Sequence, residues 1–239
     1  MDKNDLINAV WKRKSVRKYL DESIEKNKTE QLRASISSLN EVSGLTMEFI
    51  EESDSFRSIK AIRFKNVNSV IVVKGKRDDI HLYEKSGYYG EQIVLEATHL
   101  GLGTCWVAVS FNKKSDSLNV KDDETIVGVI SVGYGAEEMI GSNAVPDVPA
   151  HRKTKSVYEF LGGNKNSPDW VIAAMKSVQF APTALNNQRT RFRYSEGTLS
   201  TETPLGTLNM IDFGITKFHF ELVAGGKFPL GTPSEFKKD

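Results

Sequence analysis

Seven residues early in the chain, Arg13-Lys14-Ser15-Val16-Arg17-Lys18-Tyr19, gather two guanidinium groups, two ammonium groups and a serine hydroxyl in one short segment. A guanidinium presents paired planar donors that match phosphate oxygens, and hydroxyl and backbone N–H groups can complete such a cradle. Arg13 and Arg17 stand four positions apart, so a helical or turn-like backbone would turn both to one side. The chemistry to expect is the grip of an anion with several oxygens. A second segment, Ala181-Pro182-Thr183-Ala184-Leu185-Asn186-Asn187-Gln188, is dense in groups that both donate and accept hydrogen bonds. An ordinary surface turn accounts for Pro182 and Asn187 but not for the run of amides.

Other candidates are thinner. Gly101-Leu102-Gly103 follows a helix-like stretch and precedes a strand-like one, the reverse of a dinucleotide-binding loop, so helix termination explains the glycines better. Cys105, the single cysteine, has no base placed beside it and reads as a small buried thiol. It excludes an intrachain disulfide and fits a reducing, cytoplasmic setting. Four histidines lie far apart at His81, His99, His151 and His219, without CxxC or HExxH spacing, so no metal site is expected.

The elements that must position these groups follow from composition and pattern. The 239 residues, 39% hydrophobic and 26% charged, suit one large domain or two closely packed lobes. Lys+Arg 32 against Asp+Glu 31 leaves a net charge of +1, with no global field to draw in nucleic acid or an anionic membrane. No apolar run approaches the roughly 20 residues of a membrane span, and the polar start is unlike a signal peptide.

Helical spacing predicts helices over Lys3–Lys12, Lys28–Leu39, Tyr88–Leu102, Asp169–Phe180 and Met210–Ala224. The last is amphipathic, with Ile211, Ile215, Phe218 and Leu222 on one face. Strands are expected at Leu45–Phe49, Val67–Lys74, Trp106–Phe111, Ile126–Val132 and Arg191–Tyr194. Val70 to Val73 is a β-branched run suited to a strand buried on both faces. Gly162–Pro168 reads as a linker, and Phe236–Asp239 as a frayed tail. Helix, loop and strand over Lys28–Phe49 are echoed over Asp169–Tyr194, which suggests an internal duplication.

Together these pieces resemble the nitroreductase family of FMN flavoproteins. Arg13–Tyr19 is similar to the family's opening R-R/H-S-I/V-R-x-Y/F motif, and Gly90–Val107, GEQIVLEATHLGLGTCWV, to its central helix and glycine turn. Ala181–Gln188 resembles its A-P-S-x-x-N-x-Q loop, and Arg152 and Lys153 fall where the family keeps a late arginine. In most members that loop closely follows the first motif, and a homodimer joins it to the other subunit's arginines. Here the early segment Leu39–Leu45 lacks it and the loop comes late, as in the single-chain branch, the TM nitroreductases, whose duplicated halves imitate a dimer. A further departure is Arg189-Thr190, where many relatives have Pro-Trp.

The resemblance implies an α+β, nitroreductase-like fold of two pseudo-symmetric lobes, residues 1–161 and 162–239, with mixed or antiparallel sheets and buried core helices. It implies a monomeric internal pseudo-dimer binding one FMN between the lobes. Arg13, Ser15, Arg152 and Lys153 would hold the phosphate, Lys14 would stand among the cofactor-binding residues, and Arg17 would act catalytically near flavin N1 and the C2 carbonyl. Backbone groups of Trp106, Val107, Ala108 and Val109 would lie near N5 and O4. Pro182, Thr183, Ala184, Asn186 and Gln188 would meet flavin or ribityl from the other lobe. The implied activity passes electrons from NAD(P)H to a small nitroaromatic or quinone acceptor by a ping-pong mechanism. A flavin-binding sensor or store without turnover would use the same motifs.

Overall fold

The computed structural model describes residues 1–56, 63–136 and 153–239. In chain order it contains α1 (Lys3–Lys12), α2 (Lys26–Ser43), β1 (Glu48–Ile50), β2 (Ser69–Lys76), α3 (Leu82–His99), β3 (Gly103–Val107) and β4 (Glu124–Gly133). Beyond residue 152 come α4 (Val157–Phe160), α5 (Asp169–Val178), β5 (Arg191–Ser195), β6 (Thr198–Glu202), α6 (Thr207–Ala224) and β7 (Ser234–Glu235). The fold is α+β, and its strands pair antiparallel. The chain divides into two compact units. One, the sheet unit, comprises the described parts of Arg13–Leu82 and Ile93–Ala144; the other, the crossing unit, comprises Met1–Lys12, Tyr83–Gln92 and the described part of Val145–Asp239.

The sheet unit is built on an antiparallel sheet in the order β1-β2-β4-β3. Val70, Ile71, Val72 and Val73 in β2 are each 0% exposed, as a β-branched run in an interior strand should be. Helix α2 turns Leu32, Ile36 and Leu39 inward at helical spacing and stops at Gly44, whose left-handed φ of 71° lets its N–H reach the Asn40 carbonyl. Strand β3 begins and ends earlier than its sequence pattern predicts. It pairs with β4 only from Gly103 to Val107, and the chain then bends so that Phe111 enters the core from a loop.

The glycine pair before β3 has two jobs. Gly101, at φ 79°, makes the turn out of α3. Gly103 instead clears space: a Cβ there would lie 2.7 Å from Val16 Cγ2. Its ladder partner Gly133 does the same for Tyr19, whose ring carbon would stand 3.0 Å from an added Cβ.

The crossing unit is organised around α6. A single amphipathic stripe was expected, but every residue from Ile211 to Leu222 is buried. Its polar side chains are enclosed because each finds a partner. The Lys217 ammonium gives its donors to Glu84 Oε1 at 2.5 Å, the Pro229 carbonyl at 2.8 Å and the Gly231 carbonyl at 3.0 Å. Burial pulls that ammonium below the usual lysine range, and the Glu84 contact opposes the pull. His219 Nδ1 lies 3.0 Å from the Ser177 carbonyl, which can only accept, so Nδ1 donates there; Nε2 faces Glu91 Oε1 at 2.9 Å. The Tyr88 hydroxyl donates to Glu221 Oε2 at 2.6 Å, its phenol pushed up first by burial and then by Glu221.

Helix α3 starts at Leu82, six positions before its predicted beginning, and passes straight through Gly87. The glycine is tolerated because α3 and α6 touch backbone to backbone at this point. An added Cβ on Gly87 would sit 2.0 Å from the Ile211 carbonyl oxygen. Around the crossing, Phe192, Phe220 and Phe228 form an aromatic cluster with Trp170 and Phe236 at its margin. The C-terminal tail is therefore tied down rather than frayed: Phe236 stacks on Trp170, and Lys237 and Lys227 exchange backbone hydrogen bonds of 2.8 Å.

The Gly162-Gly163 pair closes α4 with left-handed φ values of 63° and 88°, and both glycines lie inside the crossing unit. Strands β6 and β7, absent from the sequence reading, complete a sheet in the order β5-β6-β7.

Candidate functional site

In the sheet unit the basic segment is neither helix nor turn. It is held by isolated bridges, Ser15 pairing with Thr104 of β3, Lys18 with Lys65 before β2 and Tyr19 with Gly135 just after β4. The Val16 N–H donates to the Thr104 carbonyl at 2.8 Å. Two apolar side chains set this geometry: Val16 and Tyr19, 8% and 2% exposed, press onto Gly103 and Gly133. The Tyr19 hydroxyl donates to the Val16 carbonyl at 2.7 Å and meets Ser131 Oγ at 2.7 Å, so the segment is pinned at both ends.

Arg13, Ser15 and Arg17 are brought near one buried thiol. All three act on Cys105. Burial pushes its thiol up, while the Arg17 charge, the Arg13 charge and a hydrogen bond from Ser15 oppose the push. Burial dominates, so Cys105 stays a protonated, enclosed thiol. Arg13 is 8% exposed, whereas Ser15, Arg17 and Lys14 face solvent. Of the strand residues singled out by resemblance, Val107 is buried, Trp106 and Ala108 are half-buried, and Val109 is 68% exposed just beyond the end of β3. Two guanidinium groups and a hydroxyl gathered at Cys105 suit a phosphate.

In the crossing unit the amide-rich segment forms a tight loop around a 3₁₀ turn at Ala184–Asn186. Leu185, Asn186 and Gln188 all hold left-handed φ angles, 52°, 55° and 47°. Such angles in non-glycine residues cost ~1–3 kcal/mol each and persist only where surrounding contacts enforce them. Those contacts are present. Gln188 Oε1 accepts from the Lys155 N–H at 2.9 Å, and Gln188 Nε2 donates to Thr154 Oγ1 at 2.7 Å. Lys155 Nζ donates to the Gln188 carbonyl at 2.6 Å, and Asn186 Nδ2 to the Lys153 carbonyl at 2.5 Å. Thr183 Oγ1 accepts from the Gln188 N–H at 3.2 Å.

The loop thus spends much of its polar capacity on itself and on residues 153–155. What it leaves over is informative. Asn186 Oδ1 is buried and accepts no hydrogen bond from any described residue, an acceptor suited to a ligand hydroxyl or N–H. Leu185 stands 91% exposed at the loop's tip, and Pro182 beside it is buried. Lys153 is exposed, and Arg152 lies outside the described residues.

Asp212, on α6, belongs to this loop although the sequence reading passed over it. Its two carboxylate oxygens lie 2.9 and 3.0 Å from the Ala184 nitrogen and share that single N–H. Burial pushes its carboxyl up to about 7, against the pull of the Ala184 N–H and the Arg189 charge. The one signal available was an acidic residue between Ile211 and Phe213 on the apolar side of the helix.

Comparison with known proteins completes the description. A family model described as "Putative TM nitroreductase" matches residues 5–224. A crystal structure of a "putative nitroreductase" from Thermotoga maritima aligns with a TM-score of 0.62 at 22% identity, over 97% of this chain and 91% of that one, and shares the fold. A nitroreductase family protein from Clostridium difficile aligns at 0.49 and 20% identity over 70% of this chain and all 100% of its own. An FMN-dependent nitroreductase from Clostridium difficile aligns at 0.45 and 21% identity, over 62% and 99%. No curated protein matches the chain.

Proposed function

Because the chain belongs to the TM nitroreductase family, we propose that it is an FMN-dependent oxidoreductase that uses NAD(P)H to reduce a small nitroaromatic, quinone or similar acceptor. The observation that carries this reading is the bridging of Arg13–Tyr19 within the sheet unit, which gathers Arg13, Ser15 and Arg17 around Cys105. Bound FMN would supply two-electron redox chemistry, taking hydride from the nicotinamide and returning electrons to the acceptor in a ping-pong cycle.

The residues present fit that group. FMN carries a phosphate with nearly two negative charges, which two guanidiniums and a hydroxyl can neutralise. It also carries a ribityl chain of hydroxyls, donors of the kind that the buried Asn186 Oδ1 lacks among the described residues. In the proposed division of labour Arg13, Lys14, Ser15, Arg152 and Lys153 bind phosphate, and Arg17 faces the pyrimidine edge of the flavin. A fixed positive charge there favours the reduced, more negative cofactor. Backbone groups from Trp106 to Val109 serve the flavin's other polar edge, and Pro182, Thr183, Ala184, Asn186 and Gln188 line flavin and ribityl.

The test is direct. Purified protein should be yellow, carry about one FMN per chain and bleach on adding NADH or NADPH. A colourless protein that ignores added FMN would refute the proposal. Steady turnover with a panel of acceptors separates an enzyme from a flavin store.

A further inference from the structure

We infer that Asp212 is the positioning residue of the flavin loop, holding Thr183–Gln188 in its ligand-ready shape through the Ala184 N–H. The inference rests on the flavin reading above and adds to it a residue that touches no reacting atom.

The loop is held from two sides. Its later half, Asn186 and Gln188, is tied to residues 153–155. Its earlier half has a different anchor, the Asp212 carboxylate 28 residues downstream, which takes the Ala184 N–H at 2.9 and 3.0 Å. Between the two anchors lie Leu185 and Asn186, both left-handed at 52° and 55°. A left-handed leucine is rarely populated unaided, so releasing one anchor lets the loop relax at Leu185.

The scaffold side is correspondingly stiff. Asp212 is 6% exposed on a helix whose next ten residues are all buried, and the Thr216 hydroxyl donates to its backbone carbonyl at 2.6 Å. A carboxylate offers about four acceptor sites. Burying it for one shared N–H and the pull of the Arg189 charge is a poor choice for stability alone, since an apolar side chain would fill the same place without desolvating a charge. What the carboxylate does there is fix the backbone of Ala184, and with it the direction in which the buried Asn186 Oδ1 is presented.

Three variants test this: Asp212→Ala removes the acceptor, Asp212→Asn keeps one, and Ala184→Pro removes the donor without touching the helix. Two readouts are used, the FMN dissociation constant from flavin fluorescence and amide hydrogen exchange across Thr183–Gln188 in flavin-free protein. D212A should weaken FMN binding about tenfold and speed loop exchange, while D212N should stay close to wild type in both. A184P should weaken FMN as D212A does, and the double variant should be no worse than either single, because both delete the same contact. Wild-type FMN affinity and loop exchange in D212A would overturn the inference, and so would D212N failing as badly as D212A. If D212A does not fold, A184P decides: wild-type FMN affinity there would equally overturn it. If the wild-type protein binds no FMN, the flavin reading fails instead, and loop exchange alone still reports whether Asp212 holds Ala184.

Discussion

Gly87 lies against the backbone of Ile211, and Gly214 against that of Glu84, where α3 meets α6. A Cβ on Gly87 would come within 2.0 Å of the Ile211 carbonyl oxygen, and one on Gly214 within 1.9 Å of the Glu84 carbonyl oxygen. The obstructing atoms are backbone, so they cannot swing aside as a side chain would. Either glycine changed to alanine gains up to ~1 kcal/mol of helix propensity but forces the helices apart. Net destabilisation toward the upper end of the ~1–3 kcal/mol seen for overpacked cores is expected in urea unfolding. A neutral result for Gly214→Ala would mean that the helices are not in backbone contact.

Gly103 should be sensitive for another reason. There the obstructing atom is Val16 Cγ2, at 2.7 Å from an added Cβ, so Gly103→Ala pushes on the basic segment itself. FMN affinity should fall more than stability does, and Val16→Ala added to G103A should restore part of it by reopening the space. Fluorescence titration of all three proteins checks this; a G103A protein with unchanged affinity would detach the segment's seat from ligand binding.

The buried Asp212 carboxyl, raised from 3.8 to about 7, makes stability depend on pH in a definite direction. The folded chain holds this proton more tightly than the unfolded chain does. The group's stabilising contribution is therefore complete below the unfolded value near 4 and is lost as pH rises through about 7. Compared with D212N, the wild type should be of similar stability at acid pH and less stable in mild alkali, by an amount on the order of a few kcal/mol. Denaturant unfolding of both proteins at the two pH values measures the difference, and a gap that stays constant would argue against a buried, titrating Asp212.

Arg17 is expected to act on the flavin's potential rather than on its retention. Loss of a charge-assisted hydrogen bond of ~1.5–3 kcal/mol corresponds to roughly 30–60 mV for a two-electron couple. Arg17→Ala should lower the midpoint potential by about that much in a redox titration of the flavin-loaded protein. An unchanged potential would remove Arg17 from the redox role.

How far the sequence revealed the molecule depended on how local each cause was. The run Val70–Val73 announced a buried strand because each side chain is apolar and β-branched. The start of α5 was equally plain, with Pro168 immediately before Asp169. Strand β6 was missed because only Leu199 and Thr201 turn inward in a polar stretch, although the Glu196-Gly197 turn, with φ values of 51° and 81°, is a hairpin signature. Gly87 reads as a helix breaker until its partner helix is known. A helical or turn-like backbone was expected to turn Arg13 and Arg17 to one side, whereas their segment is bridged outside any helix, with Val16 and Tyr19 seated on two glycines. Asp212 was marked only by an acidic side chain among apolar neighbours, since what distinguishes it is an N–H 28 residues away.

The crossing unit draws on three stretches of chain that are far apart in sequence, Tyr83–Gln92 among them. During synthesis that middle stretch leaves the ribosome long before Lys217 and His219 exist to receive Glu84 and Glu91. Carboxylates without partners resist dehydration, so the nascent helix stays wetted and does not collapse prematurely onto whatever apolar surface is at hand. The Glu84 carboxylate that Lys217 meets in the finished interior thus also helps to keep an unfinished chain from committing early.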